Sequence, residues 1–122
     1  MYSQLISDFV ENEGLPDSYR EDAFEFFVPL VDLIANRALD SEHTLYVGIN
    51  GAQGTGKTTL GKLLVTLLSA REFRVANFSI DDFYLTQSER NQLAESQHPL
   101  LATRGVPGTH DISLLMTKFE EL

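Results

Sequence analysis

Leu45-Tyr46-Val47-Gly48-Ile49-Asn50-Gly51-Ala52-Gln53-Gly54-Thr55-Gly56-Lys57-Thr58-Thr59 is the stretch on which the reading of this chain turns. Its first six residues form a short, nearly all-apolar run, the pattern of a strand buried on both faces of a parallel sheet. A glycine-rich loop, Gly51 to Gly56, follows. Helical periodicity then resumes from Lys57 to Arg71 through Leu60, Leu63, Leu64, Leu67 and Leu68. The loop satisfies GxxxxGK[ST] in the context that gives that string meaning, after a strand and opening a helix. Glycines let the backbone wrap a phosphate chain, so that several N–H groups and the helix N-terminus point at it. Lys57 supplies a point charge for the β- and γ-phosphates, and the Thr58 hydroxyl is a magnesium ligand. The cofactor-binding set is therefore Gly51, Ala52, Gln53, Gly54, Thr55, Gly56, Lys57, Thr58 and Thr59, with ATP and Mg²⁺ expected. A dinucleotide fingerprint needs GxGxxG, and Gly54-x-Gly56 is followed by Lys57-Thr58-Thr59, so that reading is rejected.

Downstream, Arg74 to Ile80 reads as a second strand, and Ser79-Ile80-Asp81-Asp82-Phe83-Tyr84 closes it. A carboxylate at the carboxyl end of a parallel strand faces the crevice where ligands of open α/β sheets bind. There it takes a proton from an attacking hydroxyl or helps to hold magnesium, which makes Asp81 both a catalytic and a metal candidate. The residues leave a second reading open, in which Asp81 or Asp82 caps the following turn. The DxxG and NKxD strings of a GTPase do not occur. Thr86-Gln87-Ser88-Glu89 has the capping-box spacing and predicts a helix to about Glu95. Residues 97–110 read as a long loop, of the kind that in a compact domain is functional or disordered, and Asp111 caps a last helix.

Upstream, Leu5, Ile6, Phe9 and Val10 predict a short helix ended by Gly14 and Pro16, and the apolar series from Tyr19 to Ala38 predicts a long one. Pro29 should kink or split that second helix. Residues 1–42 hold ten acids against two bases, a net of −8, whereas the other eighty hold eight acids against seven bases. The acidity belongs to the leading segment, a solvated helical face. Across 122 residues the net charge of −9 excludes a broad nucleic-acid footprint, and the absence of cysteine excludes disulfides and thiolate metal sites. His43 and His98 read as surface residues. No apolar run reaches membrane-spanning length, and the amino terminus lacks a leader's basic start, so a cytoplasmic protein with no membrane and no nucleic-acid partner is expected.

The motifs VGINGAQGTGKTTL, SIDDFYLT and RGVPGTHD together resemble the D-glycerate 3-kinase family, P-loop kinases related to phosphoribulokinase, uridine kinase and pantothenate kinase. The resemblance implies ATP-dependent phosphoryl transfer to a hydroxyl, with a glycerate-like acceptor favoured and Asp81 as the base. It also implies that Arg104, His110 and Asp111 lie near that acceptor, beside Asp82 and Tyr84. An arginine at position 104 suits an acceptor carboxylate, which it holds bidentately. Asp111 as a plain cap and His110 as a plain surface residue stay open.

The expected fold is α/β: a P-loop-type parallel sheet with flanking helices, incomplete and amino-terminal, in residues 43–122, with an acidic helical extension in 1–42 packed on it. Family members continue into further strands, a basic lid and a base-binding segment. The chain by itself is therefore expected to be inactive, and to need a missing carboxyl-terminal half or self-association. The rival readings are a non-catalytic nucleotide-binding remnant and a kinase for another small alcohol or a nucleoside.

Overall fold

The computed structural model describes residues 2–122 and divides into two compact units, Met1–Asn77 and Phe78–Leu122. In the first unit α1 (Ser3–Asn12) ends in a Schellman turn. Gly14 takes φ +63°, its N–H donates to Glu11 O (3.2 Å) and the Leu15 N–H donates to Val10 O (2.9 Å). The long apolar series forms α2 (Ser18–Asp22) and α3 (Val28–Leu39), joined without a break by one π-helical stretch, Ala23–Phe27. This is the expected disturbance at Pro29. The proline brings no N–H, and its ring crowds the preceding turn, so the helix widens there instead of breaking.

Helix α4 (Lys57–Ala70) packs against α1 and α3. Ile6, Phe9, Val10, Ala23, Val31, Ala35, Leu63, Leu64, Leu67 and Leu68 form the buried core, and Tyr19, Phe27 and Leu60 close its margin. The i, i+3, i+4 spacing on each helix places these side chains on one face, and burying a leucine contributes roughly 1.5–3 kcal/mol. The acidic segment thus carries an apolar stripe beneath its charge. Two ion pairs join that segment to α4, Lys62 Nζ to Glu13 Oε2 at 3.1 Å and Arg71 Nη1 to Asp32 Oδ1 at 2.7 Å. Pairs as solvated as these contribute at most about 1 kcal/mol each.

In the second unit a 3₁₀ turn (Ile80–Asp82) leads to α5 (Gln87–Ser96), a further 3₁₀ turn (Pro99–Ala102) and α6 (Ile112–Glu120). Both predicted caps are present. Thr86 Oγ1 accepts from Glu89 N while the Glu89 carboxylate accepts from Thr86 N, and Asp111 Oδ1 accepts from Leu114 N at 3.0 Å. The 97–110 loop is less irregular than expected, because His98 Nδ1 accepts from Leu100 N and starts the 3₁₀ turn.

The parallel sheet is a correction. Among the described residues there is no strand; 45–50 and 74–79 carry no ladder, and the pairing seen is an isolated antiparallel bridge between Tyr84 and His110. Val47, Ile49, Val75 and Phe78 are each between 37% and 50% exposed, far from the two-sided burial that the pattern called for. An apolar run reports a preference for burial. It does not report whether neighbouring strands exist to provide it, and a strand without a ladder partner has nothing to hold it.

Candidate phosphate-binding loop and acceptor-side cluster

The first unit presents the glycine loop at the start of α4. Gly54 and Gly56 take φ +79° and +92°, which L side chains rarely adopt, and Gly56 occupies the N-cap position without any side-chain cap. The first amides of α4 therefore have no side-chain acceptor of their own. Thr55 Oγ1 donates to Ala52 O at 2.6 Å and tightens the turn. Lys57 Nζ folds back across the loop to donate to Gly51 O, also at 2.6 Å. A Cβ added at Gly51 would stand 3.0 Å from Thr55 Oγ1 and 3.5 Å from the Lys57 side chain, so the closeness of the loop itself demands glycine there. Ala52, Gln53 and Thr58 are exposed and Thr59 half-buried on the first turn of α4. This geometry fits a phosphate chain: left-handed glycines, amides without a side-chain cap and one ammonium folded over the loop at the helix start.

One feature of this region is absent from the sequence reading. Gly61, buried on α4, faces Asn77: a Cβ there would lie 3.3 Å from Asn77 Nδ2 and 3.4 Å from Oδ1. A glycine inside a leucine-rich helix is the one signal that marks such a close approach.

The second unit separates the two adjacent aspartates. Asp82 Oδ2 accepts from Ser79 N (2.9 Å) and Ser79 Oγ accepts from Asp81 N (3.2 Å), so Asp82 serves as the reciprocal cap of the 3₁₀ turn. Asp81 is exposed, and its Oδ1 accepts from the Tyr84 hydroxyl at 3.1 Å. The Tyr84 ring stacks on His110 (centroids 4.4 Å apart, planes at 25°), and the Arg104 guanidinium carbon lies 5.2 Å from the Tyr84 centroid. The Tyr84 phenol is pushed above the ordinary tyrosine range, first by desolvation and then by the hydrogen bond to Asp81 and its charge; Arg104 and Arg90 pull the other way.

Asp81, Tyr84, Arg104 and His110 thus meet around one ring. Asp111 joins through its backbone, its N–H donating to Phe83 O at 2.6 Å, while its carboxylate caps α6. His110 Nε2 is enclosed without a hydrogen-bond partner. Sequence reasoning missed Arg90, which is 5% exposed and donates to Leu85 O (2.8 Å), Ala102 O (3.3 Å) and Gln87 Oε1 (2.5 Å). A lone arginine in a polar helix reads as solvated, and nothing local announces its burial. Among the described residues no group of three His, Asp or Glu side chains is placed to hold a metal ion, and no helix is long and apolar enough to cross a membrane.

Comparison with known proteins sets this geometry among kinases. The chain is 46% identical over 71 residues to an uncharacterized kinase of Schizosaccharomyces pombe, mug58, covering 57% of this chain and 26% of that protein. It is 36% identical over 85 residues to the chloroplastic D-glycerate 3-kinase of Arabidopsis thaliana, covering 68% of this chain and 19% of the relative. To the protein described as "Probable ATP-dependent kinase TDA10" of Saccharomyces cerevisiae it is 38% identical over 76 residues, covering 58% and 26%. The homologues of this chain are kinases, a D-glycerate 3-kinase among them, as the three motifs indicate. The chain spans about a quarter or less of the length of these relatives. No protein-family model matches it, and no solved structure does.

Proposed function

We propose that this chain carries the phosphate cradle and the acceptor-side base of an ATP-dependent kinase that phosphorylates a hydroxyl of a small metabolite, with a glycerate-like acid as the favoured acceptor. The observation that carries the reading is the Gly51–Thr59 turn, left-handed at Gly54 and Gly56 and opening α4 over Lys57, in a chain whose relatives are kinases. In the reaction the acceptor oxygen attacks the γ-phosphorus and the bond to the β–γ bridging oxygen breaks. The hydroxyl proton passes to a carboxylate, and ADP leaves. Asp81 suits the base, because Asp82 is committed to the backbone of its own turn. Lys57 and the α4 amides neutralise phosphate charge. Magnesium, which the Thr58 hydroxyl on the first turn of α4 would help to hold, would supply further charge neutralisation at the phosphates.

Arg104 provides the cation for an acceptor carboxylate, and His110 serves its stack on Tyr84, since its Nε2 is enclosed. The exposed apolar side chains of Val47, Ile49 and Val75 in the first unit support an added partner surface, from further chain or a second copy. A cysteine-free composition suits the cytoplasm, although one relative is named chloroplastic.

The test is calorimetric titration of ATP with magnesium into the protein and its Lys57→Ala variant. At least a tenfold weakening is expected from loss of one phosphate contact. Equal affinities would remove the loop from the mechanism, and binding without D-glycerate phosphorylation by the complete protein would leave a kinase for another small alcohol or a nucleoside, or a nucleotide-binding remnant.

A further inference from the structure

We propose that Tyr84 is a positioning residue that spaces the base from the carboxylate clamp, its hydroxyl holding Asp81 and its ring carrying Arg104 and His110. The inference rests on the kinase reading for its chemistry, but its geometry lies within one unit of the chain. Side chains from two segments more than twenty residues apart, Asp81 on one and Arg104 and His110 on the other, converge on this ring. Asp81 accepts the phenolic hydrogen bond at 3.1 Å, His110 stacks at 4.4 Å, and the Arg104 guanidinium carbon lies 5.2 Å from the centroid. An anionic acceptor must present its hydroxyl to the carboxylate and its own carboxylate to the guanidinium. The ring that both protein groups touch therefore sets the span between them, and selects a short hydroxy acid.

The backbone around the ring is held at several points. Tyr84 and His110 form an antiparallel bridge flanked by Leu85 N donating to Thr109 O (2.8 Å) and Asp111 N donating to Phe83 O (2.6 Å). Thr109 is fully buried, and its hydroxyl donates to Val106 O at 2.6 Å. Phe83 is buried and meets Phe78 edge to face, with centroids 5.9 Å apart. Arg90 donates to the carbonyls of both Leu85 and Ala102, tying the residue after Tyr84 to the segment that leads to Arg104. The hydroxyl and the ring thus do separable jobs: one orients the base, the other carries the arm.

Two variants of the complete protein separate those jobs. Tyr84→Phe keeps the ring and should lower kcat for the acceptor about tenfold with both KM values within about twofold, as loss of an oriented base requires. Tyr84→Leu should raise the acceptor KM about tenfold with the ATP KM unchanged. A readout independent of turnover is hydrogen exchange at the Leu85 and Asp111 amides, unchanged in Tyr84→Phe and about tenfold faster or more in Tyr84→Leu. An unaltered kcat in Tyr84→Phe, or unaltered exchange in Tyr84→Leu, would overturn this inference alone. A complete wild-type protein with no acceptor-dependent turnover would overturn the kinase reading, and with it the base-orienting half, while the exchange result still decides whether the ring carries the arm.

Discussion

Ten buried apolar side chains hold Met1–Asn77 together, whereas in Phe78–Leu122 the buried positions among the described residues are Phe83, Thr109 and the charged Arg90. The first unit is a helical core with the glycine-rich loop at one helix start. The second is a set of short helices held by caps, a single bridge and an enclosed guanidinium whose described partners are all neutral oxygens. The difference matters for function. On the proposed reading, a phosphate cradle would work through backbone amides fixed by a rigid helix, while the acceptor-side groups would sit on a segment with few buried side chains, the kind that opens at low free-energy cost.

The comparison breaks most sharply at Asp81. If the second unit supplies the base, Asp81→Asn should reduce turnover of the complete protein by about 10²- to 10⁴-fold with ATP affinity nearly unchanged. Asp82→Ala should instead act mainly on stability, through the lost cap to Ser79 N. Steady-state kinetics of both variants checks this, and the reverse ranking would show that the aspartates have exchanged roles.

Next in size is the core of the first unit. Leu67 is fully buried, and Leu67→Ala should cost about 2–5 kcal/mol by denaturant unfolding. The same truncation at exposed Ile112, on α6 of the second unit, should stay within roughly 0.5 kcal/mol. Comparable losses at the two sites would mean that α6 has a buried face in solution.

A smaller effect is expected at Thr86, where the reciprocal cap with Glu89 opens α5. Thr86→Ala should cost about 1 kcal/mol, and amide exchange should rise in α5 before α4 is affected.

What was legible in the sequence divides along the same line as the chemistry of each element. The caps at Thr86 and Asp111, the stop at Gly14 and the glycine turn into α4 are local, set by residues within six positions of one another, and each is in place. The sheet read from Leu45–Asn50 and Arg74–Ile80 is absent among the described residues, because an apolar run states an appetite for burial and says nothing of a neighbouring strand. Arg90 and the Tyr84–His110 bridge were hidden for a related reason: each has a partner a dozen or more residues away, and neither residue type announces burial. Among the candidate site residues, RGVPGTHD and SIDDFYLT are brought together on Tyr84, a meeting that spacing alone does not reveal.

The smallest effect is a pH dependence that sets one tyrosine of each unit against the other. Tyr19 lies among Phe9 and Phe27, and its phenol is pushed up first by burial and then by the charge of Asp22. Tyr84 is raised by partial desolvation and by Asp81. In both cases the folded state holds the phenolic proton more tightly than the unfolded chain. The associated stability is fully present below the unfolded value of about 10, and is lost as pH rises through the folded value. Tyr19→Phe should therefore flatten the decline of stability above about pH 10 without altering stability near neutrality by a comparable amount. Asp81→Asn should bring the Tyr84 titration down while leaving that of Tyr19 where it is, because the carboxylate acts on one ring alone. Ultraviolet titration of the phenolates in wild type, Tyr19→Phe and Tyr84→Phe, each alone and combined with Asp81→Asn, assigns the two rings by difference among the four tyrosines. A downward shift of both tyrosines in Asp81→Asn would mean that the aspartate acts through the fold as a whole and not through its hydrogen bond to Tyr84.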